Sequence, residues 1–350
     1  ALLCGSLSGC AAGQTAAPAE PAVSFTDSLG RTVDIPETLT RVAPSGAVAS
    51  MFLATIAPEY MTTINATPSS SQYKYLDPRL IDLPTTGQMY GSKSTLNLES
   101  ILTSGVQVVI DLGDKKDNMA ADLDALQRQI GMPVIFIEAD LPHMAEAYRT
   151  LGKILSGKEA RGEELAAFVE ETVSMAEENA ANIQDSERIS VLYTSGSSGL
   201  DTNAKGSIQA QVLDLMGIEN AAVVEDVSNK GGGNPINLEQ LYRFDPDVIL
   251  FAAGSIYQTA AGDEAWQPLR AIQTGRYYEV PSMPYNWLSG PPSLNMLLGV
   301  WWLGNLLYPQ YYDYDMVEKT QEMFRLFWAY DLSADEARAM LANSTLKDAS

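Results

Sequence analysis

The segment Asn-Leu-Glu-Ser-Ile at residues 97–101, followed by the apolar run Val-Val-Ile at 108–110, has a counterpart later in the chain. Asn-Leu-Glu-Gln-Leu at 237–241 precedes Val-Ile-Leu at 248–250, so the two copies are 140 positions apart (from 97 to 237 and from 108 to 248). In each copy the pattern predicts a short helix, a loop and then a buried strand. This internal repeat predicts two similar α/β lobes within one chain.

Short apolar strands alternate with helical stretches in both halves of the sequence. Uniformly apolar strands that alternate with helices are typical of parallel sheets covered on both faces. The fold class is therefore predicted to be α/β with parallel sheets. The predicted strands lie at residues 41–43, 106–111, 134–137, 189–194, 248–251 and 277–280.

A long stretch without strand character, residues 142–183, separates the two halves. After Lys158 its apolar residues recur at helical spacing, and a helix of about 25 residues would measure about 38 Å. Its opposite face is acidic. The stretch fits either a plain surface helix or a stiff rod that joins two lobes. We therefore divide the chain into a leader and tether, an N-terminal lobe, a bridging helix region and a C-terminal lobe, at residues 1–23, 24–141, 142–184 and 185–350.

Composition excludes several classes of function. The 350 residues contain 22 Lys+Arg and 44 Asp+Glu, a net charge of −22, with one His and two Cys. An acidic chain lacks the basic face that nucleic-acid phosphates require, so no nucleic-acid partner is expected. One His and two Cys exclude multi-histidine metal sites, Cys₄ sites and a disulfide framework.

The first 23 residues resemble a targeting segment. Residues 1–9 are apolar and small, like the end of a secretory signal. Leu7-Ser8-Gly9-Cys10 resembles the lipobox of bacterial lipoproteins, which makes Cys10 the expected lipidation site; a chance Cys after an apolar run is the alternative. Residues 11–22 fit a flexible tether. We expect an extracytoplasmic protein attached to the membrane only through its lipid anchor.

Catalytic motifs are missing from the sequence. Residues 152–159 nearly match a phosphate-binding loop, but Glu159 stands where a hydroxyl must hold magnesium. Residues 195–199 lack the glycine spacing of a nucleophile elbow. His143 has no patterned Asp or Cys nearby. We therefore expect a binding protein, with a chelatase-like enzyme as the less favoured alternative.

Four features together resemble the substrate-binding lipoproteins of ABC importers for iron-siderophore complexes, cobalamin and haem. These are the hairpin segment at 25–36, the turn at 41–46, the repeated Asn-Leu-Glu segments and the tail Leu-Gly-Asn-Leu-Leu-Tyr-Pro at 303–309. The resemblance covers residues 24–341. It implies two Rossmann-like lobes joined by one rigid helix, with the ligand in the cleft between them. It also implies a monomer that works with a membrane permease and its cytoplasmic ATPase, without a cofactor or metal of its own.

In that family one Glu on each lobe docks onto basic pockets of the permease, and Glu99 and Glu239 match these positions. The same pattern also fits helix-end chemistry, since Asn97 and Asn237 are good N-caps and a first-turn Glu favours the helix dipole. Both interpretations are compatible.

The ligand is expected at loops that follow the carboxyl ends of strands. Ser45 and Gly46 open a helix whose N–H groups could face an anion. Aromatic rings on loops can cover the apolar faces of a chelate, and phenols can hydrogen-bond to it or ligate Fe(III). The predicted ligand-binding residues are Ser45, Gly46, Tyr90, Tyr193, Thr202, Asn203, Tyr257, Tyr285, Asn286 and Trp287.

An iron-siderophore complex is the cargo that the resemblance favours. A zinc or manganese carrier would need a histidine cluster, which one His cannot form. An oxyanion such as molybdate or tungstate, a nickel chelate, haem and cobalamin remain as alternatives. The acidic total would repel an anionic ligand at long range.

Overall fold

The computed structural model describes residues 21–90 and 95–346. Cys10, the lipobox and most of the predicted tether lie outside the described residues. The described chain begins with an antiparallel hairpin of β1 (Ala22–Thr26) and β2 (Thr32–Pro36). Val33 and Ile35 of β2 are buried because alternate side chains of a strand point to the same face. The predicted hairpin is confirmed.

A three-stranded parallel sheet of strand order β3-β4-β5 forms the centre of the N-terminal lobe. Its strands are apolar and buried, and helices connect them, as the α/β prediction requires. The elements are β3 (Val42–Pro44), α1 (Ala47–Ile56), α2 (Leu98–Thr103), β4 (Val108–Gly113), α3 (Met119–Ile130) and β5 (Val134–Glu138).

Two antiparallel helices, α4 (Met144–Ile154) and α5 (Glu159–Asn182), lead from the first lobe to the second. The 24 residues of α5 span about 36 Å, close to the predicted rod. The helices approach closely at Gly162, where an added Cβ would lie 2.6 Å from the Tyr148 carbonyl oxygen. Arg149 of α4 pairs with two glutamates of the exposed acidic face of α5, which comprises Glu163, Glu164, Glu170, Glu171, Glu177 and Glu178.

A four-stranded parallel sheet of strand order β11-β10-β6-β8 forms the centre of the C-terminal lobe, beside a small antiparallel pair of β7 and β9. The repeated helix–loop–strand unit is α2–β4 in one lobe and α7–β10 in the other, so the predicted pair of α/β lobes is confirmed. The elements are β6 (Ser190–Thr194), β7 (Asp201–Thr202), α6 (Gln211–Leu215), β8 (Glu219–Asn220), β9 (Asn234–Pro235), α7 (Leu238–Phe244), β10 (Val248–Phe251), α8 (Arg270–Gln273) and β11 (Tyr277–Glu279).

Three helices follow the second sheet: α9 (Asn295–Leu307), α10 (Met316–Trp328) and α11 (Ala334–Leu341). The first of these is apolar on nearly every face and is buried against α5, where Trp301 Nε1 donates to Thr172 Oγ1 at 2.9 Å. The other two return to the N-terminal lobe. Phe324 of α10 packs edge-on against Tyr75.

The returning segment ties the two lobes together a second time. Lys74 of the N-terminal lobe pairs with Glu336 of α11 at 2.9 Å. A few residues later, the Asn343 carbonyl accepts a hydrogen bond from the Glu279 backbone N–H in β11. The predicted boundaries at 24–141 and 185–350 do not include this crossing. Two connections, α5 and the C-terminal helices, therefore hold the lobes in place.

Candidate ligand cleft

A cavity of about 440 Å³ lies between the lobes. It is bordered by the loops after β3, β4 and β6, because the carboxyl ends of the parallel strands in each lobe meet at one sheet edge. The N-terminal lobe contributes Ser45, Gly46, Gln88, Tyr90, Asp111, Asp114 and Lys116, and the C-terminal lobe contributes Tyr193, Ser195, Asn203, Gln209, Asn229 and Ser289. We call these two sets the charged wall and the neutral wall.

Asp111 is the buried acid of the charged wall. It lies inside the apolar strand β4 and is only 4% exposed. Its Oδ1 accepts a hydrogen bond from the Ser45 hydroxyl, and Ser45 is fixed by backbone hydrogen bonds to Ile110 (3.0 Å) and Met89 (2.8 Å). Burial raises the pKa of Asp111 to about 6, although the Ser45 hydrogen bond and nearby Lys116 act in the other direction.

Tyr90 and Lys116 complete the charged wall. The Lys116 ammonium lies 5.2 Å from the centre of the Tyr90 ring and 3.1 Å from Asp114 Oδ1. Burial, followed by the charge of Asp111, raises the pKa of the Tyr90 phenol well above its ordinary value, so it stays protonated. Because Lys116 is matched by Asp114, the charge left on this wall is that of Asp111.

The neutral wall contains only uncharged groups among the lining residues that the structure describes. Tyr193, at the end of β6, has its hydroxyl beside Ser289 and Asn286, and burial raises the pKa of this phenol. Asn203 donates to Ser289 Oγ at 2.8 Å, and Asn220 holds the Asn203 carbonyl at 2.9 Å. Asn203 and Ser289 of this wall are therefore bonded to each other, whereas Ser195, Gln209 and Asn229 bond to backbone groups.

Five of the ten predicted ligand residues line the cavity: Ser45, Gly46, Tyr90, Tyr193 and Asn203. The structure places the other five elsewhere. Thr202 is buried and donates to the Tyr193 carbonyl at 2.7 Å, behind the wall. Tyr257 packs on Phe251 and Tyr277 in the core of the C-terminal lobe.

The other three predicted residues, Tyr285, Asn286 and Trp287, lie in the loop at 283–292. Trp287 is fully buried, and its indole N–H donates to the Met283 carbonyl at 2.9 Å. Asn286 accepts hydrogen bonds from the backbone of residues 288 and 289, so it shapes the loop. Tyr285 lines a separate cavity of about 200 Å³ beside α1. The loop carries its aromatic rings inward, and its tip, Ser289 to Pro292, lines the cleft.

Several lining residues were missed or named only as parts of loops. Asp111 carries a signal in the sequence, since one acid interrupts the buried run Val-Val-Ile-Asp-Leu-Gly at the carboxyl end of a strand. Lys116 lies in the loop after β4, which the strand-end rule selects, and Gln88 lies in the loop that precedes α2. Gln209 lies in a short 3₁₀ turn whose position at the cleft no local pattern reveals.

Glu99 and Glu239 occupy equivalent places on the two lobes. Both are exposed in the first turn of a short helix, α2 or α7. The Asn97 side chain accepts from the Ser100 N–H at 3.2 Å, and the Asn237 side chain accepts from the Gln240 N–H at 2.8 Å. The caps are thus present, and both carboxylates remain free of ion pairs within the described residues.

Comparison with known proteins agrees with this architecture. A model of the periplasmic binding protein family matches residues 43–284. An ABC transporter solute binding protein from Sulfurospirillum deleyianum is 26% identical, with a TM-score of 0.83 over 91% of this chain and 99% of that chain. A search of curated proteins finds no match.

Two more distant structures share the fold. Haemophilus influenzae MolA, bound to molybdate, is 18% identical, with a TM-score of 0.72 over 89% of this chain and 99% of that chain. Helicobacter pylori CeuE, in a Ni-His complex, is 14% identical, with a TM-score of 0.64 over 93% and 100%.

The family match covers more than half of the chain and includes both sheets and most of the residues that line the cleft. None of the helices in the described part of the chain is both long and apolar enough to cross a membrane. The chain belongs to the periplasmic binding protein family, the solute-binding proteins of ABC importers, and is an extracytoplasmic binding protein rather than an enzyme.

Proposed function

We propose that the chain captures a compact metal chelate of the iron-siderophore class in the interlobe cavity and delivers it to an ABC importer permease. The observation that carries this proposal is the cavity itself, bordered by polar groups from both lobes. Its volume of about 440 Å³ lies within the range of about 300–1,000 Å³ that holds small organic ligands.

The walls favour a chelate over a bare oxyanion. A tetrahedral oxyanion would leave most of the cavity empty, and the Asp111 carboxylate would repel it. MolA is bound to molybdate, but the buried acid of this chain opposes such a ligand. The other distant relative, CeuE, is bound to a nickel–histidine complex, a metal that arrives with an organic partner.

A bare metal ion also fits the cleft poorly. Among the residues that the structure describes, the one group of three potential metal ligands is Glu138, Asp140 and His143. All three members are already engaged, because Lys115 pairs with Glu138 at 2.6 Å and the His143 ring contacts Asp140. The set does not line the cavity. The metal would therefore enter with its own chelator.

Delivery would use the exposed carboxylates of Glu99 and Glu239, one on each lobe, against basic pockets of the permease, which its cytoplasmic ATPase drives. Their equivalent positions suit a partner made of two similar halves. Cys10 would carry the lipid that keeps the monomeric protein at the membrane surface.

Isothermal titration calorimetry tests the cargo class. The purified protein is titrated with a ferric trihydroxamate, with the same hydroxamate without iron, and with molybdate. We expect micromolar or tighter binding of the ferric complex and none of molybdate. Tight molybdate binding without chelate binding would overturn the proposal in favour of the oxyanion alternative.

A further inference from the structure

Two buried side-chain oxygens at the cavity lack a hydrogen-bond partner within the described ranges, one on each wall. They are Asp111 Oδ2 on the charged wall and Gln209 Oε1 on the neutral wall. The residues are 4% and 6% exposed. Both side chains line the cavity and both oxygens are shielded from bulk water. Because both side chains line the cavity, a molecule bound there can supply the missing donors.

Both oxygens are acceptors. An ionised carboxylate only accepts, and Asp111 already uses Oδ1 on the Ser45 hydroxyl. Gln209 donates its amide N–H to the Lys230 carbonyl at 3.1 Å, and its amide oxygen has no partner among the described residues. A buried acceptor without a donor is unfavourable, and more so when it is charged. A cargo with donors would recover this free energy on binding.

Lys116 is the one cationic side chain among the described lining residues, and it does not turn the cavity into a site for anions. Its ammonium is matched by Asp114 at 3.1 Å and lies over the Tyr90 ring. The Tyr90 hydroxyl, also without a partner in the described part of the chain, can donate or accept and does not discriminate. The net charge of −22 adds a long-range attraction for cations.

We propose that the cargo is a neutral or cationic complex with N–H or O–H donors on two sides, one accepted by Asp111 and the other by Gln209. The proposal rests on the proposed cargo role of the cavity and narrows it: an anionic chelate that presents only acceptors is excluded. Each lobe then binds one end of the same molecule, so tight binding requires both lobes.

A matched pair of inert complexes tests whether the cavity prefers cationic donors or anionic acceptors, and it does not require that the cargo be known. Hexaamminecobalt(III) is cationic and presents N–H donors in every direction, whereas hexacyanocobaltate(III) is anionic and presents acceptors. Both have the same octahedral shape. Binding is measured by calorimetry at about 0.15 M salt, which screens the exposed surface charges.

The decisive variant is Asp111→Asn, which turns the carboxylate into an amide that can present a donor. We expect hexaamminecobalt(III) to bind about tenfold more weakly to D111N, as expected for the loss of a charge-assisted hydrogen bond. Asp313→Asn changes the same charge at an exposed position that does not line the cavity, and should bind as the wild type does. Equal affinities of D111N and D313N would overturn the proposal.

Gln209→Met tests the other wall without disturbing β4. We expect it to bind hexaamminecobalt(III) about three- to fivefold more weakly, the effect of one neutral hydrogen bond. Unchanged affinity in this variant, or tighter binding of hexacyanocobaltate(III) than of hexaamminecobalt(III) by the wild type, would contradict the proposal. If one of these contradicting results were found but a ferric trihydroxamate still bound, the proposed cargo role would stand and only the requirement for donors on the cargo would fail.

Discussion

The two lobes share a framework but present different surfaces to the cleft. Each lobe has an Asn-capped helix with an exposed Glu, followed by a buried parallel strand: α2–β4 in one and α7–β10 in the other. At the cavity the likeness ends. The charged wall holds a buried carboxylate, and the neutral wall holds uncharged groups such as the hydrogen-bonded pair Asn203 and Ser289.

The difference follows from two separate tasks of the same fold, docking onto the permease and binding the cargo. A permease with two similar halves calls for the same feature on both lobes, and the repeat supplies it. A small cargo has different ends, so the walls that read it need not match. The repeated residues therefore suit the proposed docking role, and the residues that break the repeat suit the proposed recognition role.

The shared feature is tested by charge reversal. Glu99→Lys and Glu239→Lys should each reduce transport of the cargo to background, because a cation would face the basic pocket of the permease. Affinity for the cargo should stay unchanged, since neither residue lines the cavity. Transport is measured as uptake in cells and affinity by calorimetry.

Glu171→Lys provides the matched control, because Glu171 is an exposed glutamate on the bridging helix α5. It should transport normally. A large loss of cargo affinity in the Glu99 or Glu239 variants, or transport by both at the wild-type rate, would remove the docking role.

The charged wall should cost the protein stability. Asp111 keeps its proton up to about pH 6, whereas the ordinary value is 3.8, so the native state binds more protons in that window. The free energy of unfolding therefore falls as the pH rises through it. Asp111→Asn should raise the free energy of unfolding by about 2 kcal/mol at pH 7 and by little at pH 4. Urea unfolding at both pH values measures this, and a destabilised D111N at pH 7 would contradict it.

The neutral wall should behave in the opposite way. Tyr193→Phe removes a buried hydroxyl beside Ser289 and Asn286, and it should lower the free energy of unfolding by about 1 kcal/mol at any pH between 4 and 8. Thermal and urea unfolding measure the change. If Y193F instead stabilises the protein, the Tyr193 hydroxyl does not stabilise the neutral wall.

The smallest effect concerns movement of the lobes. The helix α5 and the returning helices α10 and α11 join the lobes at separate places, so cargo binding should leave the radius of gyration unchanged within error. Small-angle scattering with and without a bound ferric trihydroxamate measures it. Marked compaction would show that these connections bend.

Local patterns predicted most of the fold. The repeated Asn-Leu-Glu segments, the apolar strands and the periodic stretch after Lys158 each encode their structure over a few turns or strands, and α5 ends one residue before the predicted limit of 183. The return of α10 and α11 could not be predicted in this way. It depends on contacts such as Lys74–Glu336 between residues distant in sequence.

The sequence predicted the lining residues of the cleft that lie at the ends of buried strands. Ser45 and Tyr193 lie at the ends of buried parallel strands, and the strand-end rule finds them. Asp111 began one of the candidate loops, at 111–117, but was not among the predicted ligand residues because it lies inside its strand. Gln209 was missed because its turn is placed by tertiary packing. Trp287 was selected as a ring on a loop, but the loop folds that ring into the core.

The central claim, that the cargo lies between the lobes, is tested most directly by native mass spectrometry of the protein purified from its own organism. The wild type should carry a small-molecule adduct. Gly46→Trp should carry none, because Gly46 lines the cavity in extended backbone that any residue adopts, and an indole there would fill the space. A folded G46W protein that retains the adduct would place the cargo elsewhere and contradict the account.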